Sequence, residues 1–327
     1  MEVTVLLVDA FTETVGKGNR AGVVLEAEKL DAAQMQAIAA HVGASETAFL
    51  LPPPAADTVQ GGVPFDFGGM FMPDAADMLV RFFTPTMEVP VCGHATIATH
   101  FALAGEKGIR EANHAMETGA GRMPVLIGTD ELGNPEVTMT LGEPQLGREL
   151  DAVDKAAIAA ALGIPVGMIR SDLPTQYVST GSQAIIMPLR DAEALHGMRP
   201  DFAALGALAP RLGCAMLYVF AEAGDDVPYR IDGRMFCPAE GIDEDPVTGT
   251  ANGPAGVYLA AHGMLPDEDT VTFTARQGYA MGKEGFVEVT VYRFSGSVVA
   301  VQIAGKAVRA GKLRLRVSPE GTITPLP

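Results

Sequence analysis

Tryptophan is absent, cysteine occurs only three times in 327 residues, and only 19% of the chain is charged. The three cysteines, Cys92, Cys214 and Cys237, are odd in number and far apart, which excludes a disulfide framework and points to a reducing compartment, the cytoplasm. Basic residues are scarce: 23 Lys and Arg against 40 Asp and Glu give a formal net charge of −17, with no basic stripe. A nucleic-acid partner, whose phosphates need clustered cations, is therefore not expected. No apolar run is long enough to span a membrane. The first residues, MEVTVLLVDAF, alternate like a strand and lack the basic segment of an export signal.

The absent motifs are equally informative. There is no Cys-x-x-Cys and no His-Glu-x-x-His, and His94 and His100 stand six residues apart, off a shared helix face, so no metal site is expected. No Gly-x-Ser-x-Gly elbow occurs, and no Gly-Lys-Ser/Thr loop either. The loop Gly16-Lys17-Gly18-Asn19-Arg20 spaces its glycines one residue off the dinucleotide fingerprint, and a strand follows it. No cofactor is expected.

What the chain does contain is a repeat. Arg81-Phe82-Phe83-Thr84-Pro85 aligns with Arg234-Met235-Phe236-Cys237-Pro238. With three extra residues in the second copy, Glu88 to Ala95 falls on Glu244 to Ala251 with five of eight columns identical. Each copy reads as a strand, a proline-containing loop, a glycine and an apolar helix, the helices running roughly from Ala95 to Ala104 and from Gly253 to Ala261, with Pro254 in a first turn. A helix apolar on nearly every side must be buried on nearly every side. The length and the duplication give an α/β protein of two pseudo-symmetric halves, each a central helix enclosed by sheet. The expected division is 1–118, completed by 310–327, and 119–309.

Between these landmarks the pattern is regular. A hairpin is expected from Val3–Val8 and Gly22–Leu25. Asp31 and Gln34 form a capping-box signal for a helix that ends near Gly43, followed by Ser45-Glu46 and an apolar strand. Residues 52–80 read as an extended hairpin or lid. In the second half, helices are expected over Asp154–Leu162 and Asp201–Leu212, among seven strands.

The candidates for chemistry are Glu46, His94 and Asp245, with Asp9, Asn19 and Thr250 as polar companions. Glu46 lies where an apolar strand begins, a location that desolvates a carboxylate; His94 and Asp245 lie in corresponding loops of the two copies. If those loops open on one cleft, an imidazole and carboxylates there suit proton transfer. The helix starts at Gly93 and Gly249 present free N–H groups to an anion such as a carboxylate. Each residue taken alone has a plainer reading: a helix-start histidine as a cap, Glu46 as a solvated loop residue, Asp245 before Pro246 as a turn. The repeat weighs against all three.

VDAFT at 8–12, GNRAGVVL at 18–25, SETAFL at 45–50, RFFTPTMEVPVCGHAT at 81–96 and GIDEDPVTGTANGP at 241–254, in this order, resemble the PhzF-like family, named after the phenazine biosynthesis isomerase. The resemblance implies a diaminopimelate epimerase-like fold, with two halves that are β-barrel-like sheets around a helix, and a homodimer. It implies a cofactor-independent isomerase of a small-molecule substrate, with Glu46 as the proton-shuttling acid and His94 and Asp245 beside it. Asn19, Gly93, Thr248, Gly249 and Thr250 are expected around the substrate. Two other readings compete: a non-catalytic metabolite-binding protein, and an epimerase that uses Cys92. Thr248 occupies the second cysteine position of the true epimerases, which argues against paired thiols.

Overall fold

The computed structural model describes residues 1–53, 75–130, 133–224 and 226–327. They form 19 strands and six α-helices, divided into two compact units, Met1–Thr140 with Ala304–Pro327, and Leu141–Ile303.

The first unit contains β1 (Glu2–Ala10), β2 (Asn19–Val24), β3 (Glu46–Leu51), β4 (Met78–Phe83), β5 (Glu88–Val89), β6 (Ala112–Thr118), β7 (Gly121–Thr129) and β8 (Pro135–Thr140), with helices α1 (Ala32–Val42) and α2 (Gly93–Lys107). The second contains β9 (Pro144–Glu149), β10 (Gln176–Thr180), β11 (Gln183–Pro188), β12 (Met216–Glu222), β13 (Ile231–Cys237), β14 (Ile242–Asp245), β15 (Thr270–Gln277), β16 (Gly285–Phe294) and most of β17 (Ser297–Gly305). Its helices are α3 (Ala152–Leu162), α4 (Ala192–Gly197), α5 (Phe202–Leu212) and α6 (Gly249–Ala261). β18 (Ala307–Val317) and β19 (Ile323–Leu326) return to the first unit, where β18 pairs with β1 over its whole length.

The first unit extends to Thr140 rather than 118. β6, β7 and β8 are consecutive antiparallel neighbours, so the hairpins that follow Thr118 continue the first sheet. The return begins at Ala304, six residues before the expected 310.

The two units repeat one pairing rule. In the first, β1 is antiparallel to β2, β2 parallel to β3, β3 antiparallel to β4, β4 parallel to β6 and β6 antiparallel to β7. In the second, β10, β11, β12, β13, β15 and β16 follow the same alternation. A short strand, β5 or β14, lies on the outer side of β4 or β13 in each.

Inside each unit the sheet surrounds one helix. α2 lies against β1, β2, β3, β7, β8 and β18, and eleven of its fifteen residues are buried. α6 lies against β9, β10, β11, β12 and β16, with eleven of thirteen buried. The polar residues of α2 survive this burial by bonding back to their own helix: Thr96 Oγ1 donates to the carbonyl of Cys92 at 2.8 Å and Thr99 Oγ1 to that of Ala95 at 2.6 Å. Both helices start earlier than their apolar runs suggest, at Gly93 and Gly249, because Cys92 and Thr248 are extended N-caps. Pro254 therefore sits inside α6 rather than in its first turn.

Burial also explains the outer helices. α1 starts at Asp31 with a complete capping box to Gln34 and stops at Gly43, whose φ of 66° suits a residue without Cβ. Its Met35, Ile38 and Ala39 join Val3, Phe49, Phe83 and Leu315 in one apolar cluster. α3 and α5 cover the matching face in the second unit, burying Ile158, Leu162, Leu205 and Leu212 against Phe236.

The repeated arginine and glutamate form the same ion pair twice. Arg81 grips Glu88 with two bonds of 2.7 Å, and Arg234 grips Glu244 with two of 2.8 Å. Each guanidinium also lies 5.2 Å from a phenylalanine ring centre, Phe83 or Phe236. The three extra residues of the second copy are accommodated by a single 3₁₀ turn at Pro238–Glu240. Of the segment 52–80 that reads as a hairpin or lid, residues 54–74 lie outside the described residues, and Met78–Val80 belong to β4.

Candidate active site

Three elements of the first unit converge on one group of side chains. Glu46 is the first residue of β3, where the parallel pairing of Ala21 with Glu46 draws it under cover of β2. His94 is the second residue of α2, and Cys92 is the N-cap before it, in an extended conformation without a side-chain capping bond. Asn19 opens β2. All four are buried.

Glu46 Oε2 stands 3.2 Å from His94 Nε2, yet it is not aligned for a hydrogen bond and has no hydrogen-bond partner. Burial pushes the Glu46 carboxyl above the usual carboxylate range, against hydrogen bonds from Ser45 and Cys92 that pull it down. A carboxyl whose affinity for protons is raised in this way is suited to accept a proton and give it back, the property a general acid–base catalyst needs.

The imidazole is held on three sides. Asn19 Nδ2 lies 3.2 Å from Nδ1, Ser45 Oγ 3.1 Å from Nε2, and Cys92 Sγ 3.3 Å from Nδ1. An amide nitrogen only donates, so the hydrogen-bond network assigns Nδ1 as the acceptor and places the proton of a neutral ring on Nε2, toward Ser45 and Glu46. Ser45 passes the chain on to Asn19 Oδ1 or to the carbonyl of Arg20, both at 3.2 Å. Asp9 is not part of this group: it accepts two bonds from Arg20, at 2.7 and 2.9 Å, and one from the Gly16 N–H at 2.7 Å, which fastens the loop between β1 and β2.

The second unit builds a different group at the corresponding place. Asp245, the last residue of β14, is buried and accepts a short bond from the hydroxyl of Thr248, the N-cap of α6. Gln277 at the end of β15 organises both. Its Oε1 accepts from Thr248 N at 3.1 Å and from Asn252 Nδ2 at 2.9 Å, which fixes which way its amide faces. Its Nε2 then donates to the Asp245 carbonyl at 2.9 Å and to Thr248 Oγ1 at 3.1 Å, so the Thr248 proton is directed onto Asp245. Asn252 is in turn held by Tyr218, whose hydroxyl donates to its Oδ1 at 2.6 Å. Gly249 opens α6, and Thr250, half-buried, follows it.

The structure thus gathers Glu46, His94 and Asn19, with Gly93 at the start of the same helix, in one unit, and Asp245, Thr248 and Gly249 in the other. Ser45, Gln277 and Asn252 were not among the candidates. Ser45 had a signal, its position beside Glu46; Gln277 had none, because it comes from a strand 29 residues beyond Thr248.

The two groups are not copies. Ala21 pairs with Glu46 as Ala184 pairs with Met216, so a thioether stands in the second unit where the first has its carboxylate. The N-caps are Cys92 and Thr248. Acid–base capacity is duplicated at neither position.

Known proteins of similar sequence are isomerases. The chain is 38% identical over 312 residues, 94% of its length and 96% of the other's, to an uncharacterised isomerase, YddE, of Escherichia coli K12. It is 27% identical over 313 residues, 94% of its length and 97% of the other's, to the trans-2,3-dihydro-3-hydroxyanthranilate isomerase of Pseudomonas chlororaphis. It is an isomerase. Residues 8–312 match the family described as phenazine biosynthesis-like protein, PhzC-PhzF, and the chain belongs to that family. The mixed α/β fold agrees: a crystal structure of a Bacillus anthracis phenazine biosynthesis protein of the PhzF family superimposes with a TM-score of 0.83 at 30% identity, covering 97% of this chain and all of the other. Among the described residues no helix is long and apolar enough to cross a membrane.

Proposed function

We propose that the enzyme moves a proton between carbon atoms of a small carboxylate-bearing molecule, using its own side chains and neither metal nor cofactor. Glu46 takes the proton from one carbon and returns it to another on the same face. The observation that carries this reading is Glu46 itself, a buried carboxyl with Oε2 unpaired and its affinity for protons raised by burial. A base that is already desolvated needs little reorganisation when it binds a proton.

His94, oriented by Asn19 and Ser45, exchanges protons with a substrate heteroatom. Asp245, kept as an acceptor by the Thr248 hydroxyl, serves as a base rather than an acid. The N–H groups of Gly93 and Gly249 hold the substrate carboxylate or the enolate formed from it, at the positive ends of α2 and α6. Thr250 bounds the substrate beside Gly249. At this pair of corresponding positions only Glu46 can exchange a proton, since Met216 answers it in the second unit, which supports a return on the same face over inversion.

The test is solvent exchange. Wild type and Glu46→Gln are incubated in deuterated water with a panel of small cyclic and amino-acid-like acids, beginning with trans-2,3-dihydro-3-hydroxyanthranilate, the compound in the name of the Pseudomonas relative. Deuterium should enter carbon with wild type only; equal incorporation by both proteins would remove Glu46 from the mechanism. One observation favours a second reading, an epimerase with Cys92 as the opposing acid: Cys92 Sγ lies 3.3 Å from His94 Nδ1. Cys92→Ala separates the two readings, because it abolishes exchange in the epimerase and spares it in the same-face shuttle.

A further inference from the structure

The two units share their strand pairings and their central helix, so each shows what the other needs for folding alone. Around the start of α6 the second unit buries a polar chain that has no counterpart among the described residues of the first. Tyr218 on β12, Gly233 on β13, Gln277 on β15 and Asn252 on α6 occupy the places that Ala48, Val80, Thr118 and Thr96 hold in the first unit. There Ala48 and Val80 fill the corner with methyl groups, and Thr118 closes its own turn, donating to the carbonyl of Gly121 at 2.8 Å. One bond is common to both units. The N-cap carbonyl, of Cys92 or Thr248, accepts from the helix side chain four residues on, Thr96 Oγ1 at 2.8 Å or Asn252 Nδ2 at 2.9 Å. The fold uses that bond twice and the rest of the chain once.

The rest runs in one direction. Tyr218, Asn252 and Gln277 are fully buried, and burial pushes the pKa of the Tyr218 hydroxyl up, so it keeps its proton and donates to Asn252 Oδ1 at 2.6 Å. The Asn252 amide nitrogen then donates to Gln277 Oε1 at 2.9 Å, and Gln277 Nε2 to Thr248 Oγ1 at 3.1 Å, whose own proton goes to Asp245. Reversing either amide would set two donors or two acceptors face to face, with no water to relieve them. The chain needs room at one point. A Cβ on Gly233 would lie 2.1 Å from the Tyr218 oxygen and 2.4 Å from its Cζ, so the ring can reach Asn252 only across a residue without a side chain.

We propose that Tyr218, Asn252 and Gln277 are positioning residues that aim the Thr248 hydroxyl at Asp245, with Gly233 as the gap that admits the first of them, and that the reaction depends on this aim. The first half stands on the hydrogen bonds and on the contrast between the two units. The second half rests on the reading of Asp245 as a base, because a base acts only when its oxygen is held in a fixed direction toward the substrate.

The test gives the second unit the packing of the first. Tyr218→Ala with Gly233→Val and Asn252→Thr refills the corner and keeps a donor for the N-cap carbonyl, while Tyr218→Phe removes the hydroxyl alone. Circular dichroism checks that both proteins fold. The Thr248 hydroxyl proton is followed by NMR, identified by its loss in Thr248→Val, and kcat and KM are taken from deuterium incorporation, with Asp245→Asn alongside. Expected are a hydroxyl signal that moves in both variants, kcat lower by roughly tenfold in Tyr218→Phe and by about a hundredfold in the triple variant, and KM within about twofold of wild type. A wild type without a slowly exchanging hydroxyl signal, or a signal unmoved in both variants, overturns the aim. Wild-type kcat in both variants, where Asp245→Asn abolishes exchange, overturns the dependence on it and leaves the shuttle intact. Undiminished exchange in Asp245→Asn, or a wild type that exchanges no proton on any compound, counts against the shuttle reading, and the dependence falls with it while a moved signal still supports the aim.

Discussion

Glu46 Oε2 and His94 Nε2 are 3.2 Å apart, within reach for charge attraction but not aligned for a hydrogen bond. The carboxyl is thus desolvated without full compensation, an arrangement that favours proton transfer at the expense of stability. Burial raises the Glu46 pKa, so the folded protein binds this proton more tightly than the unfolded chain does. Stability therefore falls as pH rises above the unfolded carboxylate range. Glu46→Gln should melt at a higher temperature than wild type at pH 7 and lose at least about a hundredfold in exchange rate. Scanning calorimetry and deuterium incorporation read the two effects; a variant that melts lower would contradict the desolvation account.

Thr248 tests the second group. Its hydroxyl donates to the buried Asp245 and receives from Gln277. Thr248→Val removes a donor from a buried carboxylate and should cost about 1–3 kcal/mol in urea unfolding, while Thr248→Ser should stay near wild type. Gln277→Leu severs four bonds at once, to Thr248 N, Thr248 Oγ1, Asn252 and the Asp245 carbonyl, and should cost more than Thr248→Val.

His100 gives the fold a pH dependence that does not involve the site. It is buried in α2, with Nδ1 on the Thr96 carbonyl at 3.0 Å and Nε2 unpaired, and desolvation pushes its pKa down from 6.5 to about 4. The unfolded chain therefore takes up this proton first. Stability holds above pH 6.5 and is lost as the pH falls toward 4, by a total on the order of 3 kcal/mol. Chemical denaturation at a series of pH values should show this loss in wild type and much less of it in His100→Gln.

The duplicated ion pair should respond unequally to the same substitution. Arg81 and Glu88 are 28% and 43% exposed at their side chains, Arg234 and Glu244 only 7% and 10%. Arg81→Ala should cost about 1 kcal/mol or less, because water replaces what is lost. Arg234→Ala leaves the Glu244 side chain, only 10% exposed, without its partner beside β13 and should cost about 3–5 kcal/mol. Equal losses in urea would mean that burial does not govern these pairs.

Gly305 marks a close approach. A Cβ there would sit 2.4 Å from Cδ1 of Phe11, a fully buried ring on a residue with φ of 63°. Gly305→Ala should therefore lower stability by about 1–3 kcal/mol through overpacking, visible as a lower melting temperature.

Much of this was legible in the chain, for identifiable reasons. Asp31 and Gln34 announce α1 because a capping box is local chemistry, complete within four residues. The two buried helices were legible because so little of either is polar, and Glu46 because it adjoins an apolar strand. The boundary at Thr140 was not: the antiparallel pairing of β6, β7 and β8 is a matter of register, and no residue near Thr118 signals whether the next hairpin continues the sheet or starts another. Gln277 was equally hidden, since a glutamine at a strand end has no pattern until the strand is placed. The proximity of Cys92 to Glu46 depends on the extended N-cap of α2 and on a strand more than forty residues earlier, neither of which appears as spacing.

The partnership of β1 with β18 has a consequence for synthesis. Along the whole of β1, from Glu2 to Ala10, the partner residues lie between Ala307 and Arg316, and the amino group of Met1 itself bonds to the carbonyl of Val317. β1 thus leaves the ribosome long before β18, the strand that pairs with it. The middle of the chain, Leu141–Ile303, holds β9 to β16 and most of β17, and is complete before β18 is made. Until then β1 has an open edge, and a ribosome that stalls late in translation would release a chain with its middle folded and its beginning still searching for a partner.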